Sequence, residues 1–183
     1  AGDTERIAKS ARTRIEDRIE ILESYVTKAL NTDSDEHDCL EDLPEDMVVY
    51  KYVNDSLKSW SNQFSVLNDD ISAKLEIQKL TSQRSRIVSP LNDLTEDYSF
   101  MNLGPKWYLI KSIERSNGEK VIAGLEIQNT LMSDHYRSGN GVNSHLKISD
   151  RFTILPLDNS EGSPVIIGET PIFKVAYAST AMT

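Results

Sequence analysis

This sequence is poor in the groups that most often carry chemistry. It holds one cysteine, Cys39, in 183 residues, so no internal disulfide can form. A chain of this length buries a core without disulfides, so the lone thiol does not assign a compartment. Only three histidines occur, His37, His135 and His145, and none lies in a nucleophile motif such as G-x-S-x-G. No Walker loop, H-E-x-x-H or paired-cysteine motif is present. The expectation is a chain with no catalytic residue, no metal site and no cofactor. Positive charge is also scarce, with 20 Lys and Arg against 29 Asp and Glu and a net charge of −9. Such a surface repels phosphate backbones, which argues against a nucleic-acid partner, and it disfavours adhesion to an anionic membrane through a basic patch. No apolar run approaches the roughly 20 residues that span a bilayer. The opening AGDTERIAKS has no apolar signal core. The residues given therefore read as water-soluble, which is compatible with a segment lying between two membrane spans.

What is present begins with a helix. From Thr4 to Leu30 there is no Gly or Pro, and apolar residues fall at Ala8, Ala11, Ile15, Ile19, Leu22, Val26 and Ala29. Steps of three and four mark one face of a helix, with Asp3 or Thr4 as its cap. At 1.5 Å per residue the helix would be roughly 40 Å long, which exceeds an average globular helix. Two readings follow. The stripe covers a sheet of its own domain, or Ile15, Ile19, Leu22 and Val26 also form a dimer seam with a second copy. Ala8 and Ala11 are small, and that end is expected to project toward a segment outside this sequence.

Residues Asn31 to Asp46 form an acidic connector containing His37 and Cys39. It lacks the glycine and ligand spacing of a calcium loop and the four ligands of a structural zinc site, so a solvated loop is expected. Strand signals start at Met47. MVVYKYV and LKSWS flank an Asn-Asp-Ser turn and read as a hairpin. Residues 68–80 follow an Asn-Asp-Asp cap and suggest a short helix. SRIVSPL, broken by Pro90, reads as an edge strand or extended loop. YSFMNL, WYLIKSIER and KVIAGLEIQ then form a meander, with Asn117-Gly118 between the last two. A less regular excursion follows, NTLMSDHYRSGNGVNS, and the chain ends in the extended pieces RFTILPL, SPVII and TPIFKVAYAS. One α+β domain over 1–183 is expected: a long helix over 1–30 packed on an antiparallel sheet, and a mixed core over 47–177.

If Asn117 and Gly118 alone make the turn, register follows. Tyr108 lies opposite Ile127, Ile110 opposite Leu125, Ser112 opposite Ala123 and Glu114 opposite Val121, giving a mostly apolar face. The other face then carries Trp107, Lys111 and Glu126 together. Such a mixture of a flat aromatic and opposite charges suits the wall of a ligand pocket. It equally suits a half-solvated sheet face with a diagonal charge pair.

Four runs carry a family resemblance: Val49–Ser61 (VYKYVNDSLKSWS), Leu103–Ser112 (LGPKWYLIKS), Val121–Gln128 (VIAGLEIQ) and Gly162–Val175 (GSPVIIGETPIFKV). In this order they resemble the extracytoplasmic region of two-component sensor histidine kinases. The resemblance covers Met47 to Val175 and departs from the family pattern between Ser61 and Tyr98 and over Asn129–Asn143. It implies a PAS-like or Cache-like periplasmic sensor fold on a bacterial inner-membrane protein, with spans on both sides and a cytoplasmic kinase beyond. It also implies a small-molecule or protein signal and a homodimeric parent. It carries over no ligand residue and no phosphoacceptor. A sensor module of a chemotaxis receptor and a free-standing secreted binding protein are the competing expectations.

Overall fold

The computed structural model describes residues 2–31, 42–54, 56–61, 98–130 and 139–178. The acidic connector with His37 and Cys39, the expected helix over 68–80, the SRIVSPL segment and His135 lie outside the described residues. The fold is α+β. A single helix, α1 (Gly2–Asn31), leads into β1 (Met47–Val53), β2 (Ser56–Ser61), β3 (Ser99–Leu103), β4 (Lys106–Glu114) and β5 (Glu119–Asn129). A 3-10 turn (Ser144–Leu146) precedes β6 (Phe152–Leu155), β7 (Ser163–Ile167) and β8 (Thr170–Tyr177).

The strands form two sheets where one was expected. The large sheet is antiparallel in the order β2-β1-β5-β4-β3, and the small one runs β6-β8-β7. β5 lies at the centre between β1 and β4, with Val49 of β1 opposite Ala123. The expected three-piece ending is therefore a sheet of its own. The loop that leads into it is tied to the large sheet through Asn129, whose amide donates to Gly141 O, and through Asn143, whose amide donates to Ile127 O.

Helix α1 crosses both sheets. Ala8, Ala11, Ile15, Ile19, Leu22, Val26 and Ala29 are all buried, in one cluster with Met47, Val49, Leu109, Val121 and Leu125 of the large sheet and Val165, Phe173 and Val175 of the small one. Each buried Ile or Leu contributes about 1.5–3 kcal/mol by leaving water, which holds the helix down along its whole stripe. This corrects two expectations. Ile15, Ile19, Leu22 and Val26 are fully covered within their own chain, so this stripe is not a seam open to a second copy. Nor does the Ala8–Ala11 end project away. Thr4 Oγ1 lies 2.7 Å from Ser163 Oγ, and the small side chains let the helix run close against β7.

The β4–β5 register is the third correction. Ile110 pairs with Gly124, Lys111 with Ala123 and Ser112 with Ile122, one residue away from the expected pairing. The turn explains the shift. The Arg115 amide donates to Glu119 O at 2.8 Å, and the Gly118 amide donates to Arg115 O at 3.2 Å, which makes a three-residue loop. Gly118 takes φ +88°, the left-handed conformation that closes such a loop, so the Asn-Gly pair serves a longer turn than the two-residue one. A bulge between Trp107 and Tyr108 restores the expected pairing of Trp107 with Gln128. The one-residue slip turns β4 over relative to β5, so that Leu109, Lys111 and Ile113, in place of Tyr108, Ile110 and Ser112, share a face with Val121, Ala123 and Leu125. Leu109, Lys111 and Ile113 now look toward α1, while Tyr108, Ile110 and Ile122 join Val48, Tyr50 and Tyr52 in a second apolar cluster on the far face.

Candidate functional site

A polar cleft of about 570 Å³ lies where the large sheet meets the loop before β6. Three segments build it. Glu45 and Asp46 come from the approach to β1, Lys106, Glu126 and Asn129 from the ends of β4 and β5, and residues 139–145 with Asp150 from the loop. That loop contains the Gly-Asn-Gly run, read in the sequence as a surface excursion. It is held by its asparagines. Asn140 Nδ2 reaches the carbonyls of Ile148, Ser149 and Phe152 at 2.8–3.0 Å, and Asn140 Oδ1 accepts from the Val142 amide. Gly141 at φ +72° allows the chain to reverse beside it. Asn143 Oδ1 caps the 3-10 turn by accepting from the His145 amide at 3.0 Å.

Asp46 sits at the back of the cleft and joins it to α1. Arg18 Nε donates to Asp46 Oδ2 at 3.0 Å and Arg18 Nη2 to Asp46 Oδ1, a two-pronged guanidinium–carboxylate contact. Asn143 Nδ2 donates to Asp46 Oδ2 at 2.9 Å and to Glu126 O at 2.8 Å. Burial alone pushes the Asp46 carboxyl upward, but the hydrogen bonds from Arg18 and Asn143 and the nearby positive charge outweigh it and hold the group below its ordinary value. On the cleft wall Lys106 Nζ pairs with Glu126 Oε1 at 2.9 Å. Beyond this pair stand Glu45, His145 and Asp150, so the cleft presents polar groups of both signs with an acidic excess. Its chemistry suits binding of a polar solute. No group of three His, Cys, Asp or Glu side chains among the described residues could hold a metal ion.

The second polar feature is internal. Lys111 Nζ donates to Glu23 Oε1 at 2.9 Å, with both side chains fully buried between α1 and β4. Tyr98, just before β3, donates its hydroxyl to the same Glu23 oxygen at 2.7 Å. Lys51, also buried, donates to Ala29 O at 2.8 Å. That carbonyl lies in the last turn of α1, where helical carbonyls lack partners within the helix. A buried charge without a partner costs several kcal/mol, so these contacts fix which groups face one another.

These placements separate the three residues proposed from sequence as a ligand-binding face. Trp107 stacks on Phe100 with ring centroids 4.8 Å apart, and Phe100 in turn packs on the helix-side core. Lys111 lies in the same interior, bound to Glu23. Glu126 points to the opposite side, where it pairs with Lys106 and lines the cleft. The register slip is the cause, and the trio makes no common surface. Sequence reasoning missed Arg18, Glu23, Asp46 and Asn143. A signal for one of them existed: Glu23 lies four residues after Ile19 and three before Val26, so it falls on the apolar stripe. A charge on a buried stripe requires an opposite charge on the surface it covers.

The far face of the large sheet is aromatic. Tyr50 and Tyr108 are buried there, and the Tyr108 hydroxyl is held protonated well above its ordinary range by burial first, then by the neighbouring Glu126 charge and Tyr50. Gly124 sits among them because a Cβ would stand 3.0 Å from Val48 Cγ2 and 3.4 Å from Ile110 Cγ1. Among the described residues no helix is long and apolar enough to cross a membrane. In comparisons with known proteins, no family model matches the chain, and neither does any curated protein or solved structure.

Proposed function

We propose that this chain is the extracytoplasmic sensing domain of a membrane-bound two-component histidine kinase, PAS-like or Cache-like in fold, facing the periplasm of a bacterial cell. The observation that carries the reading is where the chain enters and leaves. Tyr177, at the end of β8, donates its hydroxyl to Asp3 Oδ2 at 3.2 Å, at the start of α1. Both ends of the described fold therefore lie together, as a domain inserted between two spans of one membrane requires. From that end α1 runs about 45 Å, past the small sheet to the cleft and on to the large sheet. A five-stranded antiparallel sheet with a helix along one face suits the PAS-like or Cache-like reading.

In this reading the signal is a polar solute taken up in the cleft. A solute group that competes for Asp46 or Asn143 alters the grip on Arg18 and so biases the position of α1. The sensing portion performs no chemistry, and phosphoryl transfer belongs to the cytoplasmic part of the parent protein.

The test uses the full-length parent. Alkaline phosphatase inserted in the turn between Asp158 and Glu161 is expected to be active in a bacterial host, and Asp46→Asn is expected to change basal autophosphorylation. A silent phosphatase at that position, with a cytoplasmic reporter active there instead, contradicts the reading.

A further inference from the structure

The sequence contains two Asn-Gly dipeptides, Asn117-Gly118 and Asn140-Gly141. This dipeptide has a spontaneous chemistry of its own. The backbone nitrogen of the glycine attacks the carboxamide carbon of the asparagine side chain. A new carbon–nitrogen bond forms, the side-chain carbon–nitrogen bond breaks, and ammonia leaves with the proton that the backbone amide gave up. Solvent water then opens the resulting succinimide to aspartate or isoaspartate. Glycine favours the attack because no Cβ crowds the attacking nitrogen and the backbone there turns freely.

The fold treats the two sites in opposite ways. At Asn140 the leaving nitrogen is clamped. Nδ2 donates to the carbonyls of Ile148, Ser149 and Phe152 at 2.8–3.0 Å. Carbonyls only accept, so none of them supplies the proton that makes ammonia a leaving group, and turning the side chain toward Gly141 breaks all three bonds. Asn117 is exposed in the β4–β5 turn, and its Nδ2 has no hydrogen-bond partner among the described residues. Its attacking nitrogen is restrained by one long contact, from the Gly118 amide to Arg115 O at 3.2 Å. The two sites are alike at oxygen. The Glu119 amide donates to Asn117 Oδ1 and the Val142 amide to Asn140 Oδ1, each at 3.1 Å, where negative charge develops during the attack. The difference therefore lies in the nitrogen that must leave.

We infer that Asn117 is a self-modification site of the folded protein, converted to isoaspartate without an enzyme, and that the fold protects Asn140 from the same reaction. The change falls on a junction. The Asn54 amide donates to Gly118 O at 3.0 Å, and Asn54 Oδ1 occupies the space that a Cβ on Gly118 would need, so the turn after β1 is packed on the β4–β5 turn. Isoaspartate routes the backbone through the side-chain carbon, lengthens it by one methylene just before Gly118, and adds a carboxylate beside Glu119. It loosens the turn that sets the β4–β5 register. The inference stands without the sensing role.

The test is a time course on the 183-residue chain in mildly alkaline buffer. Peptide mapping by mass spectrometry reads amide-to-acid conversion, and labelling by an isoaspartyl methyltransferase reads the isoaspartate. In the folded chain the Asn117 peptide should convert and take the label. The Asn140 peptide should convert about 100-fold more slowly, the equivalent of three hydrogen bonds at a factor of about five each. In concentrated urea the two rates should converge, and Asn117→Gln should remove the label from the folded chain. An Asn117 that persists as long as Asn140 in the folded chain overturns the proposal, as does label that survives Asn117→Gln. A rate gap that remains in urea overturns it too, because the flanking sequence and not the fold would then set the difference.

Discussion

The two halves of α1 are held by different means. Over the large sheet the helix carries bulky residues, Ile19, Leu22 and Val26, together with buried polar contacts to Lys111, Lys51 and Tyr98. Over the small sheet it carries Ala8 and Ala11 and two hydroxyl contacts, Thr4 with Ser163 and Asp3 with Tyr177. The first half is fixed by a buried ion pair and buried hydrogen bonds, and the second mainly by close approach of small side chains. The difference teaches that apolar burial and positional specificity are separate jobs. A helix can be uniformly buried yet hold its buried charges at one end.

The largest expected effect breaks that contrast at its strong side. Lys111→Ala leaves the Glu23 carboxylate buried without its ammonium partner and should cost about 3–5 kcal/mol, measured by urea unfolding. Ser163→Ala, at the weak side, should cost about 1 kcal/mol. Equal costs would erase the distinction between the halves.

Gly118→Ala sharpens the comparison by testing the turn that places Lys111 under the helix. At φ +88° an L side chain is strained, and its Cβ would stand 2.2 Å from Asn54 Oδ1. A loss of about 1–2 kcal/mol or more is expected, again by denaturant unfolding. A neutral result would show that the three-residue turn does not determine the register.

A smaller effect should appear at the junction of the halves, where Arg18 holds Asp46. The folded-state pKa of Asp46 is depressed, so its contribution is present above the unfolded carboxylate value of about 3.9 and is lost as pH falls through the lower folded value. Asp46→Asn should therefore be less stable than the parent at neutral pH, and the gap should narrow below about pH 4. A constant gap across acid titration, followed by thermal melting, would mean that the carboxylate charge is not what Arg18 recognises.

Much of this arrangement is legible in the sequence. The three-and-four spacing from Ala8 to Ala29 gives α1 and its buried face, and each strand signal outside the undescribed segments coincides with a strand. The face assignment of β4 is not legible. Both of its faces are buried, so Tyr108 and Ile110 alternate with Leu109 and Ile113 without a polar side to mark direction. Asn-Gly then carries the whole burden of register, and the same dipeptide serves a two-residue or a three-residue turn. The cleft is harder still. Arg18, Asp46 and Asn143 lie far apart in the chain, and only the closing of β5 against the loop before β6 brings them together. The split into two sheets escapes sequence reading for a related reason: strand signals report strands and not which strands pair.

Native-state hydrogen exchange along α1 tests the central claim most directly. If the large-sheet half is fixed by buried charges and the small-sheet half by close approach and hydroxyl contacts without a buried charge, amides from Ile19 to Leu30 should exchange only on global unfolding. Amides from Ala8 to Ala11 should exchange through a smaller opening of lower free energy. Uniform protection from Ala8 to Leu30, with one denaturant dependence, would contradict the account.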